Sequence, residues 1–235
     1  MDGMKPLRWI ASAKDDLSAM PTEVRRAVGY ALFAAQQGEK HDDAKVLKGF
    51  GDAAVLEIIA RHDGETFRAV YTVRFGEMVY VLHVFQKKSK SGIATTKKRA
   101  GADPQTAEAR RAGPQTMERA RRSGMSKDET IIEGVGNVFD DLGMPHAAAE
   151  LVKAQLTFQI AKRIKALGLR QTAAAARLGI SQPDVSRLMK RRPTGFSTDR
   201  LLALLTALDI DVDIVLRPTS APAHTAKVSI REELP

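Results

Sequence analysis

The 29 residues of 96–124, "TKKRAGADPQTAEARRAGPQTMERARRSG", limit what this chain can fold into more than any other part of it. Met117 is the single apolar side chain there larger than alanine, beside Pro104, Pro114 and three glycines. Such a segment buries too little apolar area to offset the entropy lost on ordering it. It is expected to be a basic flexible linker, and each flank must then build its own core. A chain of 235 residues has room for that. The expected division is a first domain over 1–95, the linker over 96–124, a second domain over 125–218 and a C-terminal tail over 219–235.

The first flank opens with a short strand expected near Leu7 to Ala11, followed by Ser12 and Asp15 at the spacing of a capping box. Val24, Ala27, Val28, Ala31, Leu32 and Ala35 then recur with helical period, and Gly38 supplies the stop. Three β-rich runs come next, "AVLEIIAR", "TFRAVYTVR" and "MVYVLHVF", separated by the turn sequences "HDGE" and "FGE". Short turns between such runs predict an antiparallel meander. The fold class is therefore α+β, with a strand, two helices and an antiparallel sheet in the first domain.

The second flank reads as mainly α. Ala149, Val152, Leu156, Ile160, Ile164 and Leu167 form one helical stripe ending at Gly168, and 171–178 forms a second helix. A third spans about 182–190, and Ser197 caps a fourth whose apolar face is Leu201, Leu204, Leu205 and Leu208. Beyond it Val212, Ile214 and Leu216 alternate as in a short C-terminal strand.

Charge points to a polyanionic partner. The net charge is +9, and residues 151–200 hold eleven basic side chains against two acidic ones. There is no cysteine, which excludes disulfides and thiolate chemistry, and no apolar run approaches a membrane span. A cytoplasmic location is expected. The five histidines are scattered without ligand spacing, so neither metal nor other cofactor is expected.

In "LRQTAAAARLGISQPDVSRL" Gly179 stands four residues after Ala175 and six before Val185. That spacing suits two helices crossing at a tight turn: a small residue allows close approach, glycine takes the turn, and valine fills the wedge. The segment resembles the Cro/repressor-type (XRE) helix-turn-helix. From "NVFDDLG" to "DVDIVLRP" the chain resembles HigA-like antitoxins. The resemblance implies operator DNA as partner and a homo-oligomer, expected to be a dimer. It also implies DNA contacts from Gln171 and Ser181 at the backbone and from Gln182, Asp184, Ser186 and Arg187 in the groove. The basic run that follows adds Lys190 and Arg191 as DNA-binding candidates; for Arg191 and Arg192 the two readings are a phosphate contact and a solvated helix end. Glutamine pairs bidentately with adenine and arginine with guanine, and hydroxyls suit phosphates. Asp184 has two readings, an acceptor from cytosine or a charge at a helix start.

"FRAVYTVRFGEMVYVLHVFQKK" resembles the sheet of RelE/HigB-type toxins, which are ribosome-dependent mRNA endoribonucleases. On this resemblance Arg68 holds the scissile phosphate, with Lys87, Lys88 and Tyr71 as further catalytic candidates and Arg61, Arg74 and His83 as RNA-binding ones. Cleavage through a ribose hydroxyl needs cations on the phosphate and groups that move protons. The chain departs from the family after the basic loop, where "TTKKRAGADP" replaces the usual "TPKxEI" and basic helix.

Three functions follow as alternatives. The first is a toxin-antitoxin protein in one chain, acting as a DNA-binding autorepressor whose nuclease domain is neutralised. The others are an active endoribonuclease regulated by its fused domain, with mRNA and the ribosome as partners, and a degenerate toxin serving only as an interaction platform. For the first, acidic residues Asp128, Glu129, Glu133, Asp140 and Asp141 are expected to dock on the basic sheet side formed by Arg61, Arg68, Arg74, Lys87 and Lys88.

Overall fold

Runs of β-branched and aromatic residues become strands β1 (Leu7–Ile10), β2 (Ala44–Val46), β3 (Val55–His62), β4 (Glu65–Thr72) and β5 (Val79–Gln86). The computed structural model describes residues 4–47, 55–72, 78–87 and 130–215, with 218 and 230. The linker 96–124, Arg74, Lys88 and nearly all of the tail lie outside these residues. The described chain forms two compact units, one running to Met144 and the other from Pro145 onward.

In the first unit β3, β4 and β5 pair antiparallel, as their turns predict. Asp63 (φ 47°) and Gly64 (φ 75°) supply the two left-handed residues of a tight hairpin between β3 and β4. The sheet is nevertheless mixed. β1 runs parallel to β5, with Leu7 opposite Val79, because the chain crosses over through two helices before it reaches the meander. Helices α1 (Ala13–Ser18) and α2 (Thr22–Gln36) make that crossover, and α2 buries Val24, Val28, Ala31, Leu32 and Ala35. Gly38, at φ 77°, ends the helical path. Ser12 does not cap α1 through its side chain; its Oγ instead donates to Asp16 Oδ2 at 2.7 Å.

Two elements from beyond residue 129 complete this unit. Strand β6 (Ile131–Glu133) pairs antiparallel with β1, so the sheet order is β2-β3-β4-β5-β1-β6. Helix α3 (Val138–Asp141), capped by Asn137 Oδ1 on Phe139 N at 3.1 Å, packs on α2. Phe139 is fully buried, edge-on to Tyr30 with centroids 5.1 Å apart. Its ring lies where Gly29 has no side chain: a Cβ on Gly29 would stand 2.8 Å from Phe139 Cε1. Val138, Leu142 and Met144 are buried with it. Asp141 is buried too, and accepts from Lys14 Nζ (3.1 Å), Val135 N (3.2 Å) and Trp9 Nε1 (3.3 Å). Arg25 Nη1 donates to the Leu142 carbonyl at 2.9 Å.

The compact units divide after Met144: β6 and α3 find their edge and their pocket on the first unit. The expected acidic docking is corrected here. The docking is largely apolar and sits at the β1 edge. Glu133 pairs with Arg8 at 2.9 Å and Asp141 with Lys14, while Asp140 is exposed. Neither acid that pairs reaches Arg61, Arg68 or Lys87. Asp128, Glu129, Arg74 and Lys88 lie outside the described residues.

The second unit is helical: α4 (Ala147–Ala166), α5 (Gln171–Leu178), α6 (Gln182–Met189) and α7 (Thr198–Thr206). Its core joins Leu156, Ile160 and Ile164 of α4 to Ala174, Leu178, Val185 and Leu188 of α5 and α6, and to Leu201, Leu204 and Leu205 of α7. The expected C-terminal strand is absent among the described residues. Residues 211–215 form no ladder, and Ile214 and Val215 are 75% and 68% exposed. Alternation alone cannot make a strand without an edge to pair with.

Candidate functional site

In the second unit, Gly179 takes the left-handed conformation (φ 63°) between α5 and α6, and Ala174, Leu178, Val185 and Leu188 are buried beneath the turn. Ser181 caps α6, its Oγ accepting from Asp184 N at 3.2 Å, and Pro183 occupies the first turn, where its missing donor costs little. One side of α6 is therefore locked into the core. On the other side Gln182, Arg187 and Lys190 are exposed, with Ser186 half-buried. Gln182 Nε2 donates to Gln171 Oε1 at 2.5 Å, tying the first residues of the two helices together.

Asp184 is held by two cations. Arg187 hydrogen-bonds to its Oδ1, and Arg200 Nη2 lies 3.5 Å from its Oδ2. The Arg187 hydrogen bond comes first among the causes that hold its carboxyl below the ordinary aspartate value. Both guanidiniums also lie over the ring of Phe196, at 5.7 Å for Arg187 and 4.7 Å for Arg200. Arg191 turns the other way. It is 3% exposed, adopts φ 54°, and sits 5.5 Å from the Phe158 centroid. Burial lowers its pKa. The expected phosphate contact from Arg191 is thus replaced by a packing role, and Arg192 is the exposed member of that pair.

In the first unit, residues paired across strands share a face, and neighbours along a strand alternate. Ile59, Arg68 and Phe85 form one cross-strand row, and Glu57, Val70 and His83 form the next row of the same face. Arg68 Nη1 donates to Glu57 Oε1; the arginine side chain is 20% exposed and the carboxylate nearly buried. His83 stacks on Phe85 with centroids 4.8 Å apart and planes at 30°. Arg61 and Lys87 are exposed at the end of the same strands, where Lys87 N donates to the Thr66 carbonyl at 2.8 Å.

Tyr71 lies elsewhere. It pairs with Leu56 and Val81 on the opposite face and is fully buried. Its Oη has no hydrogen-bond partner among the described residues, and burial pushes its pKa well above the ordinary tyrosine value. A phenol there cannot meet a phosphate held by Arg68.

Residues 138–217 match the family described as "Helix-turn-helix domain", and residues 15–132 match the one described as "Phage derived protein Gp49-like (DUF891)". The second match covers half of the chain. This protein belongs to the phage-derived Gp49-like family. A solved structure named "Putative XRE Family Transcriptional Regulator" is 42% identical, with a TM-score of 0.36, over 38% of this chain and 100% of that one. No curated protein matches the chain significantly.

The Gp49-like match runs from α1 to Ile132, so it takes in most of β6, the strand that closes the sheet. The helix-turn-helix match begins at Val138, the first residue of α3. The protein joins a Gp49-like unit to a helix-turn-helix unit.

In the Gp49-like unit, sequence reasoning passed over Glu57 and Phe85, which surround Arg68. A lone carboxylate within "AVLEIIAR" was the available signal for Glu57. In the helix-turn-helix unit it passed over Phe196 and Arg200, which no local pattern connects to Asp184. Among the described residues no cluster of three or more His, Cys, Asp or Glu could hold a metal ion, and no helix is long and apolar enough to cross a membrane.

Proposed function

We propose that this protein is a sequence-specific, DNA-binding autorepressor of the toxin-antitoxin type, acting as a dimer in the cytoplasm, with an attached Gp49-like toxin unit that is held inactive. The observation that carries the DNA reading is α6: Val185 and Leu188 fix it to the core while Gln182, Arg187 and Lys190 stay exposed beside Gln171 and Ser181. A helix held by one face and polar on the other suits the major groove, with Gln182 and Arg187 at base edges and Gln171, Ser181 and Lys190 at the backbone. Dimerisation would set the spacing of two half-sites. The test is selection of a binding site from randomised duplex DNA by the full chain. Gln182→Ala should relax base preference at one position by about 1–3 kcal/mol. Equal loss on unrelated DNA would refute the groove assignment.

For the Gp49-like unit, the proposed ancestral chemistry is cleavage of mRNA on the ribosome, with Arg68 on the scissile phosphate and Arg61, Lys87 and His83 around it. Two features support inactivity in the fused chain. The Arg68 guanidinium is already engaged by Glu57, and Tyr71 faces away. A second reading, an active endoribonuclease, draws support from the position of β6 and α3 at the β1 edge, which leaves the Arg68 row uncovered by them. Growth inhibition and mRNA cutting by the full chain, abolished by Arg68→Ala, would favour the active enzyme. Their absence in the wild-type chain would favour the repressor.

A further inference from the structure

The carboxylate of Asp184 raises a problem for the DNA reading on which this inference rests. Phosphates flank the groove, and an unpaired anion on the reading helix would oppose binding. Here the anion is enclosed by Arg187 on its own helix and Arg200 on α7, so the three groups together carry a net positive charge. The cations are also fixed in place. Arg187 Nη1 donates to the Thr194 carbonyl at 3.3 Å, and both guanidiniums rest on Phe196, whose ring is itself 2% exposed and cannot move away. Each arginine still keeps about half of its side-chain surface, 50% for Arg187 and 44% for Arg200, so donors remain for a further partner. An arginine with one edge held and another open is preorganised and loses less rotamer freedom when it binds.

We propose that Asp184 is a positioning residue, not a base-reading one: shared between Arg187 and Arg200 above Phe196, it orients Arg187 toward a base pair and places Arg200 as an additional contact to the DNA backbone. Neither Arg200 nor Phe196 belongs to the reading helix, so the recognition surface extends onto α7. The arrangement also explains how a carboxylate is tolerated on a helix that enters the groove. It is cancelled within the protein and needs no cytosine amine.

The proposal is tested with the full chain on its selected site and on a panel changed one base pair at a time. Arg187→Ala is expected to lose about 10- to 100-fold of preference at one base pair. Asp184→Asn should lose preference at that same base pair, with no further loss when the two changes are combined, and with an unchanged unfolding midpoint. Its affinity for unrelated DNA at low salt should hold or rise, since an anion has been removed. Arg200→Ala should keep the base preference and lower the slope of log affinity against log salt by about 0.9, the value for one phosphate. Loss of preference at a different base pair in Asp184→Asn would mean that Asp184 reads its own base and would overturn the proposal. So would an unchanged salt slope in Arg200→Ala. A wild-type chain that discriminates among no sequences would overturn the DNA reading itself, and this inference with it.

Discussion

Gly29 and Phe139, more than a hundred residues apart, occupy one space, and the pair allows a test of whether α3 is part of the first unit. Phe139 is fully buried and edge-on to Tyr30, so Phe139→Ala removes a core ring and should cost about 3–5 kcal/mol. Gly29→Ala has opposing terms. Within α2 the change gains about 1 kcal/mol of helix propensity. The new Cβ would stand 2.8 Å from Phe139 Cε1 and 3.0 Å from Cδ1, and overpacking of that kind costs about 1–3 kcal/mol. The ring is fixed by Tyr30, so it yields little, and the single change should destabilise by about 1–2 kcal/mol. In the Phe139→Ala background the clash is gone, and the nearest remaining atom, Leu142 Cδ1 at 3.5 Å, is an ordinary contact. There Gly29→Ala should become stabilising, filling part of the cavity. A urea-melting double-mutant cycle on the full chain should give a coupling of about 1–3 kcal/mol. Additive effects within about 0.5 kcal/mol would refute the packing of α3 on α2.

Three further outcomes are expected. Tyr71→Phe should stabilise by about 1–2 kcal/mol at neutral pH, since the buried Oη has no partner among the described residues. The folded-state pKa of Tyr71 is raised, so its contribution is fully present below about pH 10 and lost as pH rises beyond it. The wild type should therefore weaken in alkali more than Tyr71→Phe, and parallel urea midpoints against pH would contradict this. Glu57→Gln should raise affinity for single-stranded RNA by freeing Arg68 and should lower stability by about 1–2 kcal/mol, the buried-pair cost discounted for the partial exposure of Arg68; unchanged RNA affinity would show that Glu57 does not compete with phosphate. Arg191→Ala should lower the unfolding midpoint through loss of the Phe158 contact while leaving the salt dependence of DNA binding intact, and Arg191→Gly, which suits φ 54°, should recover part of the loss.

What could be read in the sequence was local. Gly179 and Val185 sit within one turn of the chain, and their spacing alone dictates how α5 and α6 cross. The meander was legible for the same reason, from turns of a few residues between Val55 and Gln86. The parallel pairing of β1 with β5 joins residues some seventy apart, and no local pattern states the direction in which they meet. Likewise nothing near Phe139 indicates that a glycine on α2 leaves room for it. In the candidate sites, Arg68 drew attention because a cation stands out in an apolar strand. Tyr71 was misplaced because a tyrosine is at home on either face and only the register decides. Arg191 lay in a basic run, where charge suggests solvent; its left-handed backbone turns it inward. The alternation of Val212 and Ile214 was real, but a strand needs an edge to join.

The placement of β6 and α3 has a consequence for limited proteolysis. A single cut anywhere in 88–129 would leave two fragments, one bearing β1 to β5 and the other bearing β6, α3 and the entire helix-turn-helix unit. These would not separate, because the smaller contribution of the second fragment to the first unit includes a sheet edge, the Phe139 ring and the buried Asp141 bonded to Trp9 and Lys14. The nicked protein would behave as a complemented pair, intact on a sizing column and divided only in denaturant. Either fragment prepared alone would carry only part of the first unit's core and would capture its counterpart from a neighbouring molecule.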